Sequence, residues 1–568
     1  MQAAVSRTPD SFRRNSGLPA ARFILKLNRK TNRSLTRTTT ARGATWLAAS
    51  CLAAGYLSFS GLAIAQSSSG SAQDTKSRTT TSQLPNLGDG SDMTSGNERR
   101  LGDRIIRELY RDPDYIDDPV LLEYVNDIWQ PLLAAARLRG DLSAELDERF
   151  AWEILMGRDR SVNAFALPGG YFGLHLGLVA VVGSRDELAS VLGHELSHVT
   201  QRHISRLMSK QSQQSPWLLG AMILGMLAAS KSPDAANALI TGGQAVAAQN
   251  QLNFSRDMER EADRVGFGVM TQAGFDAQGA VAMFDKLQQA SRLNDRGSFP
   301  YLRSHPLTTE RIADMESRAV QSRVSNQPAA TAAGKVDYAM AHALIAARAR
   351  VLSFSAMDDL RSWGQRTESA NFASQAPAIQ AGSLYGAAFA ALKLRDAAVA
   401  QKLLARLSDV TRGDAAASRL TRLLGGEMAL AFNDARQALK SIEGSAPLNS
   451  RRPETLLGAQ ALIGTNQPAL AATQLQTWVS AHPRDAMAWQ LLSSAYAAQG
   501  QTIRAVRAEG ESRVAVLDYA PAVDRFKAAQ TLAKNMPNKN SADNIEASII
   551  DTRVRQVALL LKEQAVER

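Results

Sequence analysis

Two histidines and a glutamate form an H-E-x-x-H motif at His194, Glu195 and His198. On a helix, side chains four residues apart lie on the same face, so both imidazoles can bind one Zn²⁺ ion. Glu195 then lies beside the metal, where it can act as the base that takes a proton from water. The alternative is a structural helix with a buried histidine and a surface salt bridge.

The surrounding sequence predicts a helix that carries this motif. The segment Ser184-Arg185-Asp186-Glu187 has the form of a capping box, so the helix is expected to begin there. Apolar residues follow at helical spacing and form one stripe, which has both histidines on its flank. The stripe comprises Leu188, Val191, Leu192, Leu196 and Val199. This phase favours the metal site over the structural alternative.

A catalytic zinc site usually has three protein ligands and one open position, so two histidines do not complete it. His203 follows His198 by five residues and would lie about 140° round the same helix, which excludes it from the same ion. His342 and His482 fall in the helical C-terminal region, and we expect them to be structural. A carboxylate is therefore the favoured third ligand.

A second predicted helix, near Asp257–Met270, offers two pairs of carboxylates. Glu259 and Asp263 share one face, whereas Asp257 and Glu261 share another. Spacing alone does not choose between the pairs, and a solvated charged face would explain either of them.

The motif HELSH, followed about sixty residues later by Ser-Arg-x-x-Glu-x-Glu-Ala-Asp, resembles the M48 zinc metalloproteases. The resemblance implies that Glu259 is the third ligand of one Zn²⁺ per chain, and that Asp263 orients a ligand or donates a proton. Asn163–Tyr171 and Ser304–Leu307 are also similar to the periplasmic branch of that family. The resemblance is strong over residues 95–320 and weaker beyond them.

His305 is interpreted differently by its local sequence and by the family. It precedes a proline, and the local sequence alone predicts a surface histidine in a loop. The family resemblance implies that His305 closes the metal site at rest as a fourth ligand and keeps the enzyme latent.

A β-hairpin is predicted before the motif helix, with strands at Ser161–Leu167 and Tyr171–Leu178 joined by Pro168-Gly169-Gly170. Its first strand is a candidate substrate edge, to which an extended peptide can add by backbone hydrogen bonds. The residues expected to form this edge are Asn163, Ala164, Phe165 and Ala166. Such binding favours unfolded segments and a weak sequence preference.

Residues 1–65 are predicted to be an export signal. Ten basic residues and one acid in residues 1–43 account for nine of the eleven net positive charges, so the charge is not a nucleic-acid footprint. The uncharged stretch 44–65 ends in Ala63-Ile64-Ala65, an A-x-A cleavage site; an uncleaved membrane anchor is the alternative. It holds the only cysteine, Cys51, so the mature chain must bind metal through histidines and carboxylates.

The mature chain is predicted to contain a disordered linker (66–97), a metalloprotease domain (98–325) and a helical repeat domain (336–568). Within the protease domain, the apolar segment 217–229 is too short to span a membrane. That segment is expected to be a buried helix or a mobile lid. The tail carries a tetratricopeptide-like pattern at Trp489, Leu492, Tyr496, Gly500 and Ala505; an irregular helical domain is the alternative.

The predicted fold class is α+β, mainly α: a zincin-type protease domain with a small sheet, followed by an α-solenoid. We expect a periplasmic zinc endopeptidase that degrades misfolded or stalled outer-membrane proteins and assists their assembly. The family resemblance implies that the repeats dock to the outer-membrane barrel-assembly machinery, and peripheral membrane contact is compatible with the apolar segment. The alternative is a chaperone or adaptor that acts through the repeats while proteolysis is repressed.

Overall fold

The computed structural model describes residues 93–210, 255–293, 298–325, 338–443, 451–537 and 540–566. The predicted export signal, most of the predicted linker, the apolar segment 217–229 and the predicted domain boundary at 326–335 lie outside these residues. Within them, the fold is mainly helical with one small sheet. None of the described helices has the length and hydrophobicity that crossing a bilayer requires.

The elements of the N-terminal part position the candidate site. In chain order they are α1 (Ser95–Arg111), β1 (Tyr115–Ile116), α2 (Pro119–Arg139), α3 (Ala144–Arg149), β2 (Glu153–Gly157), β3 (Ala164–Leu167), β4 (Tyr171–His175), α4 (Leu176–Val181), α5 (Arg185–Thr200), α6 (His203–Lys210), α7 (Arg256–Gln272), α8 (Ala277–Arg292), α9 (Tyr301–Ser304) and α10 (Thr309–Ser325). Helix α1 already begins at Ser95, inside the predicted linker, because Thr94 caps it by accepting from the backbone N–H of Asn97.

The described C-terminal part is helical throughout. Its helices are α11 (Ala339–Ser353), α12 (Met357–Glu368), a single 3₁₀ turn (Phe372–Ser374), α13 (Pro377–Lys393), α14 (Ala397–Thr411), α15 (Ala415–Ala431), α16 (Ala435–Ile442), α17 (Arg452–Gly464), α18 (Pro468–Ala481), α19 (Ala486–Ala498), α20 (Thr502–Ala515), α21 (Tyr519–Lys534) and α22 (Ser541–Val566). Most of them pack on their neighbours in sequence.

The sheet has the strand order β1-β2-β4-β3. β1 and β2 are antiparallel, β2 and β4 are parallel, and β3 and β4 are antiparallel. The predicted hairpin is therefore confirmed, and its first strand lies at the edge of the sheet. The predicted bounds are wrong at both outer ends: the first strand begins at Ala164 and not at Ser161, and the second ends at His175, since α4 begins at Leu176.

The hairpin turn depends on two glycines. Gly169 and Gly170 have φ of 76° and 77°, in the left-handed region that side chains disfavour. A Cβ on Gly170 would lie 2.7 Å from Cβ of Phe150, and one on Gly169 would lie 2.9 Å from Cα of Arg99. Only glycine therefore combines this conformation with this packing.

Helix α2 covers the sheet and forms the centre of the core. The Trp129 ring meets the Phe172 ring edge-on, with centroids 4.6 Å apart. The indole N–H of Trp129 donates to the carbonyl oxygen of Trp152 at 3.0 Å, so the ring is buried without losing a hydrogen bond. The sheet, α2 and α5 share one apolar core.

Four helical hairpins of the tail end their first helix with the same turn. In each, a residue with left-handed φ follows the helix, and the next backbone N–H donates to a carbonyl five residues earlier, as in a Schellman motif. The left-handed residues are Arg395, Asn433, Asn466 and Gly500, at intervals of 38, 33 and 34 residues; one more turn of the same kind, at Leu517, ends the second helix of the last hairpin and follows Gly500 by 17 residues. This period supports a repeated helical hairpin, while the tetratricopeptide identity stays a prediction.

Ion pairs join the tail to the start of α2 and the segment just before it. Three tail arginines, each paired also with a tail carboxylate, bind acids of this region at 2.5–2.8 Å. The pairs are Arg348 with Asp118, Arg419 with Glu123, and Arg452 with Asp117. The N-terminal part and the tail are therefore fixed to each other by one buried and two half-buried ion pairs as well as by a shared apolar core.

Candidate metal centre

Helix α5 carries the H-E-x-x-H motif and begins where the sequence predicts. Ser184 caps it, since its Oγ accepts a hydrogen bond from the backbone N–H of Glu187 at 3.1 Å. The Glu187 carboxylate accepts a hydrogen bond from the backbone N–H of Gly183 at 2.8 Å. In an ideal capping box it would accept from the N–H of the capping residue itself, Ser184. The predicted apolar stripe is buried throughout, which confirms the orientation of the helix.

Helix α7 presents one of its two carboxylate pairs to α5. Glu259 and Asp263 are 1% and 4% exposed, whereas the side chains of Asp257 and Glu261 are 85% and 31% exposed. The choice that spacing left open is therefore made by the packing of α7 on α5.

Two glycines allow that packing. Gly193 on α5 faces Gly266 on α7, and a Cβ on Gly266 would lie 2.9 Å from the backbone of Gly193. The two helix backbones are therefore in near contact, which brings the carboxylates of α7 within reach of the histidines of α5.

Four buried side chains converge beside these helices: His194, His198, Glu259 and His305, whose donor atoms all lie within 4.8 Å of one another. The two Nε2 atoms of His194 and His198 are 2.9 Å apart. Glu259 lies 3.6 Å from the first through Oε2 and 3.4 Å from the second through Oε1. Tetrahedral ligands at about 2.1 Å from a zinc ion are about 3.4 Å apart, so these separations fit Zn²⁺.

Buried oxygens in the same place also fit a cation. Both carboxylate oxygens of Glu195 are buried without a hydrogen bond of good geometry among the described residues; the same holds for Oε2 of Glu259, although Nη1 of Arg311 lies 2.8 Å from it. Burial alone would raise the pKa of Glu259, but the charge of His305 and polar contacts with the imidazoles of His198 and His305 hold it well below its usual value. Burial keeps the pKa of His198 well below its usual value, which favours the neutral imidazole that a metal ligand requires.

Asp263 accepts a hydrogen bond from Nδ1 of His194 at 2.9 Å. This contact leaves the lone pair of Nε2 directed at the donor cluster, as expected for a carboxylate that orients a metal ligand. Burial opposes the ionised form of Asp263, but hydrogen bonds from Arg311 and His194 lower its pKa overall.

His203 lies close to the cluster, although the sequence placed it elsewhere. The prediction that His203 lies on the same helix as His198 is wrong. Helix α5 ends at Thr200, and α6 begins at His203 after Arg202, whose φ is 55°. This turn brings Nδ1 of His203 to 2.8 Å from Nδ1 of His198. His203 therefore contacts the nitrogen of His198 that faces away from the other donors, and it is not a member of the donor cluster.

His305 is only 2% exposed, so the surface position that its local sequence predicts is wrong. Its backbone N–H donates to the carbonyl of Tyr301 at 2.9 Å, and its ring stacks on the Tyr301 ring with centroids 4.4 Å apart. Nδ1 lies 3.0 Å from Oε1 of Glu259, and Nε2 lies 3.5 Å from Oε1 of Glu195. The imidazole thus fills the space between the two carboxylates.

Glu195 is almost completely buried, 1% exposed, at the margin of the cluster. Burial raises its pKa, and the neighbouring charges of His305 and His194 offset this only in part. A carboxylate with a raised pKa accepts and returns a proton more readily near neutral pH.

The candidate substrate edge lies next to α5. Ala164, Phe165 and Ala166 form β3, while Asn163 precedes it and its carbonyl accepts from the N–H of His175 at 3.0 Å. The start of this edge is covered: the N–H of Val162 donates to the carbonyl of Ser298 at 2.8 Å, just before the segment that carries His305.

The chain is similar to several known proteins over the residues that form this site. The sequence profile of Peptidase family M48 matches residues 134–319, which include α5, α7 and His305. The β-barrel assembly-enhancing protease of Escherichia coli is 31% identical over 452 residues, which are 77% of this chain and 85% of that protein. The chain belongs to peptidase family M48.

Two other relatives agree with that membership. A Vibrio cholerae protein, provisionally given the same name, is 37% identical over 327 residues, 57% of this chain and 63% of that protein. The mitochondrial metalloendopeptidase OMA1 of Saccharomyces cerevisiae is 29% identical over 196 residues, 34% of this chain and 54% of that protein. This M48 peptidase is therefore a metalloendopeptidase by family.

Two residues of this M48 peptidase that sequence reasoning missed also contact the site. Arg311 binds Asp263, and Tyr301 stacks on His305. Glu261, which the sequence offered only as one member of an alternative carboxylate pair, instead contacts His203. In the sequence Arg311 looks like an ordinary surface charge, since the elements that bury it are distant along the chain.

Proposed function

We propose that this metalloendopeptidase hydrolyses peptide bonds in unfolded or misassembled outer-membrane proteins, with one Zn²⁺ ion per chain. The observation that carries the proposal is the convergence of four buried donor atoms within 4.8 Å, beside the buried carboxylate of Glu195. The names of the bacterial relatives support outer-membrane proteins as the substrate class. The predicted export signal supports a periplasmic location.

His194, His198 and Glu259 would hold the ion. Zinc, when bound, supplies a Lewis acid for the scissile carbonyl and makes water more acidic. Asp263 supports this ligand set by accepting the Nδ1 proton of His194, which keeps the opposite nitrogen available as a ligand.

Glu195 would be the general base. It takes a proton from the attacking water and gives it to the amine that leaves when the peptide C–N bond breaks. The pKa that burial raises suits both steps, because the same carboxylate must first accept the proton and then return it.

The edge of β3 that pairs with no other strand among the described residues would hold the substrate. A peptide that adds to this edge as an antiparallel or parallel strand binds by its backbone, so unfolded segments of many sequences qualify. The adjacency of β3 to α5 supports cleavage of a peptide bound there.

His305 would act as a latch. Its imidazole reaches the donor cluster from the side of Glu195, and the segment before it is hydrogen-bonded to Val162 at the start of the substrate edge. With His305 as the fourth ligand, this segment occupies the open metal position and also covers the start of the substrate edge at Val162. Release of this one segment would therefore open the metal position and the substrate edge together.

The helical tail would provide recognition. Repeated helical hairpins stack into extended surfaces that commonly bind proteins. Contact with the outer-membrane barrel-assembly machinery is the role that we assign to this surface. An adaptor role with proteolysis held back by His305 is the second candidate, and the buried position of His305 is the observation that favours it.

The proposal is tested with Glu195→Gln, prepared both in the natural chain and in a His305→Ala background so that a latch cannot mask activity. Zinc content is measured by mass spectrometry, and cleavage is measured on an unfolded, carboxymethylated protein. We expect about one zinc per chain in each protein and loss of cleavage with Glu195→Gln. Glu148→Gln, an exposed change in α3, is the control. Retained cleavage in zinc-loaded Glu195→Gln would contradict the assignment.

A further inference from the structure

His198 is the donor whose outer nitrogen faces another histidine rather than a carboxylate. Nδ1 of His198 and Nδ1 of His203 are 2.8 Å apart, and both residues are completely buried. Nε2 of His203 lies 3.1 Å from Oε2 of Glu261, and the same oxygen accepts from Arg206 at 2.7 Å. The contacts thus run from His198 through a second imidazole to an ionised carboxylate.

The backbone turn between α5 and α6 is built to make this contact. Arg202 takes a left-handed φ of 55°, which reverses the chain directly after the motif helix. Its guanidinium donates to the carbonyl of Met93, to Glu98 and to Ser205, at 2.6, 2.9 and 3.0 Å. Helix α1 and α6 therefore hold the unfavourable turn in place, as expected where a side chain must be aimed accurately.

The positions of the hydrogens follow from the chemistry of imidazole. Only one of two facing nitrogens can carry the proton of their hydrogen bond, and a neutral imidazole carries one proton in total. If Nε2 of His198 binds a metal, its proton must be on Nδ1 and must be donated to His203. His203 then accepts at Nδ1 and donates from Nε2 to Glu261. Any other arrangement either places a proton on Nε2 of His198, where it would block the metal, or leaves no proton between Nδ1 of His198 and Nδ1 of His203.

We propose that His203 is a positioning residue that holds His198 in the Nδ1–H tautomer and thereby prepares its Nε2 for the metal. The proposal rests on the proposed function in one respect, namely that His198 binds metal through Nε2. Glu261 completes the relay by accepting the second proton, and Arg206 keeps Glu261 ionised by pairing with it.

The two histidines of the motif are then oriented in different ways. His194 is held directly by Asp263, and that carboxylate is paired with Arg311. His198 is held by the neutral ring of His203, and the carboxylate of Glu261 therefore lies one residue further from the metal. Both outer carboxylates are matched by an arginine, so each ligand is oriented without an additional net negative charge at the site.

The tautomer is measurable in the metal-free natural protein by nitrogen-15 NMR of the histidine side chains. We expect His198 to carry its proton on Nδ1 and His203 on Nε2 before any zinc is added. A His198 protonated on Nε2 in the metal-free protein overturns the proposal. Because this measurement needs no variant, it remains decisive even if a substitution at His203 impairs folding.

Two substitutions separate the parts of the His203 ring. His203→Asn keeps an acceptor oxygen near the position of Nδ1, whereas His203→Gln keeps a polar group near Nε2 and loses that acceptor. Zinc affinity is measured by competition with a chelator. We expect His203→Asn to bind near the natural affinity and His203→Gln to bind about 10- to 100-fold more weakly, the usual effect of losing an orienting partner. Equal affinities for both variants and the natural protein overturn the proposal.

His342 provides the matched control, because it is also a buried histidine with a partner on each nitrogen but lies away from the metal centre. It contacts the hydroxyl of Tyr124 at 2.6 Å and the carbonyl of Val182 at 2.9 Å. His342→Gln should leave zinc affinity unchanged; a loss equal to that of His203→Gln would mean general damage and would overturn the positioning role. A natural protein that binds no zinc refutes the proposed function instead, so the two failures are distinguishable.

Discussion

Arg311 holds Asp263 by two parallel hydrogen bonds, from Nε to Oδ2 at 2.6 Å and from Nη2 to Oδ1 at 2.8 Å. Its remaining nitrogen, Nη1, lies 2.8 Å from Oε2 of Glu259 and donates to the carbonyl of Pro306 at 2.8 Å. One buried guanidinium therefore joins both carboxylates of α7 to the loop that begins at His305. Its planar, forked shape suits this task, which a lysine could not perform.

Replacing this arginine should strongly destabilise the metal-free protein. Arg311→Met leaves Asp263 and Glu259 buried without their cation, and breaking a buried pair in this way costs about 3–5 kcal/mol. The free energy of unfolding is measured in urea. Arg318→Met is the control, since Arg318 pairs with Asp314 near the surface and such pairs contribute about 1 kcal/mol or less. Similar losses in both variants would contradict the importance of the buried contact.

The contact between Gly193 and Gly266 gives a second prediction. In Gly266→Ala the new methyl group meets the backbone of Gly193 at 2.9 Å, so α5 and α7 must separate. We expect a loss of about 1–3 kcal/mol in stability, as for other overpacked cores, together with weaker zinc binding because the carboxylates move away from the histidines. Calorimetric melting and chelator competition measure the two effects.

Gly364 supplies the comparison for that substitution. It lies within α12, and a Cβ there would meet nothing within 4 Å. Gly364→Ala should therefore raise stability by up to about 1 kcal/mol, because alanine loses less backbone entropy in a helix. If Gly266→Ala melted as high as Gly364→Ala, the close helix contact would not be needed.

Local pattern was sufficient to predict α5, α7 and the hairpin, because each is specified by spacing and caps within a short stretch of sequence. It could not choose Glu259 and Asp263 over Asp257 and Glu261, because both pairs have the same spacing. That choice depends on which face of α7 meets α5, and the decisive contact is between glycines that carry no pattern of their own.

His203 and His305 show a different limit. The helical spacing that excluded His203 assumed that α5 continues, but a left-handed residue, Arg202, ends it. The local sequence of His305 predicts a surface residue, but His305 is buried against Glu195 and Glu259, which lie on two helices distant along the chain. In both cases a contact between residues outside one regular helix decided the outcome.

The latch predicts that the natural enzyme is slower than a variant that lacks it. His305→Ala should increase the rate of cleavage of an unfolded substrate while zinc stays bound through His194, His198 and Glu259. Zinc content and initial rates are measured on the same preparations. An unchanged or lower rate with zinc at one per chain would argue against a latch, and loss of zinc would mean that His305 is needed to retain the ion.

Acid should weaken the junction between the tail and α2 through Asp118. Burial disfavours its ionised form, but the charge and hydrogen bonds of Arg348 outweigh burial and lower the pKa of Asp118. Above the ordinary aspartate pKa of about 3.9, the carboxylate is ionised in both states and the pairing is fully present. As the pH falls through that value towards the lower folded pKa, the unfolded chain takes up the proton first, so stability is lost.

Asp118→Asn isolates this contribution. At pH 7 it should cost about 3 kcal/mol, at the lower end of the range for broken buried pairs because Glu427 still binds Arg348 at 2.9 Å. The difference in unfolding free energy between the two proteins should shrink as the pH is lowered from 5 towards 3, over about the range where aspartate titrates. Asp358→Asn, whose side chain is 96% exposed, should show no such difference at any pH. A gap between natural and Asp118→Asn proteins that stays constant with pH would mean that the loss at pH 7 reflects packing and not the charge of Asp118.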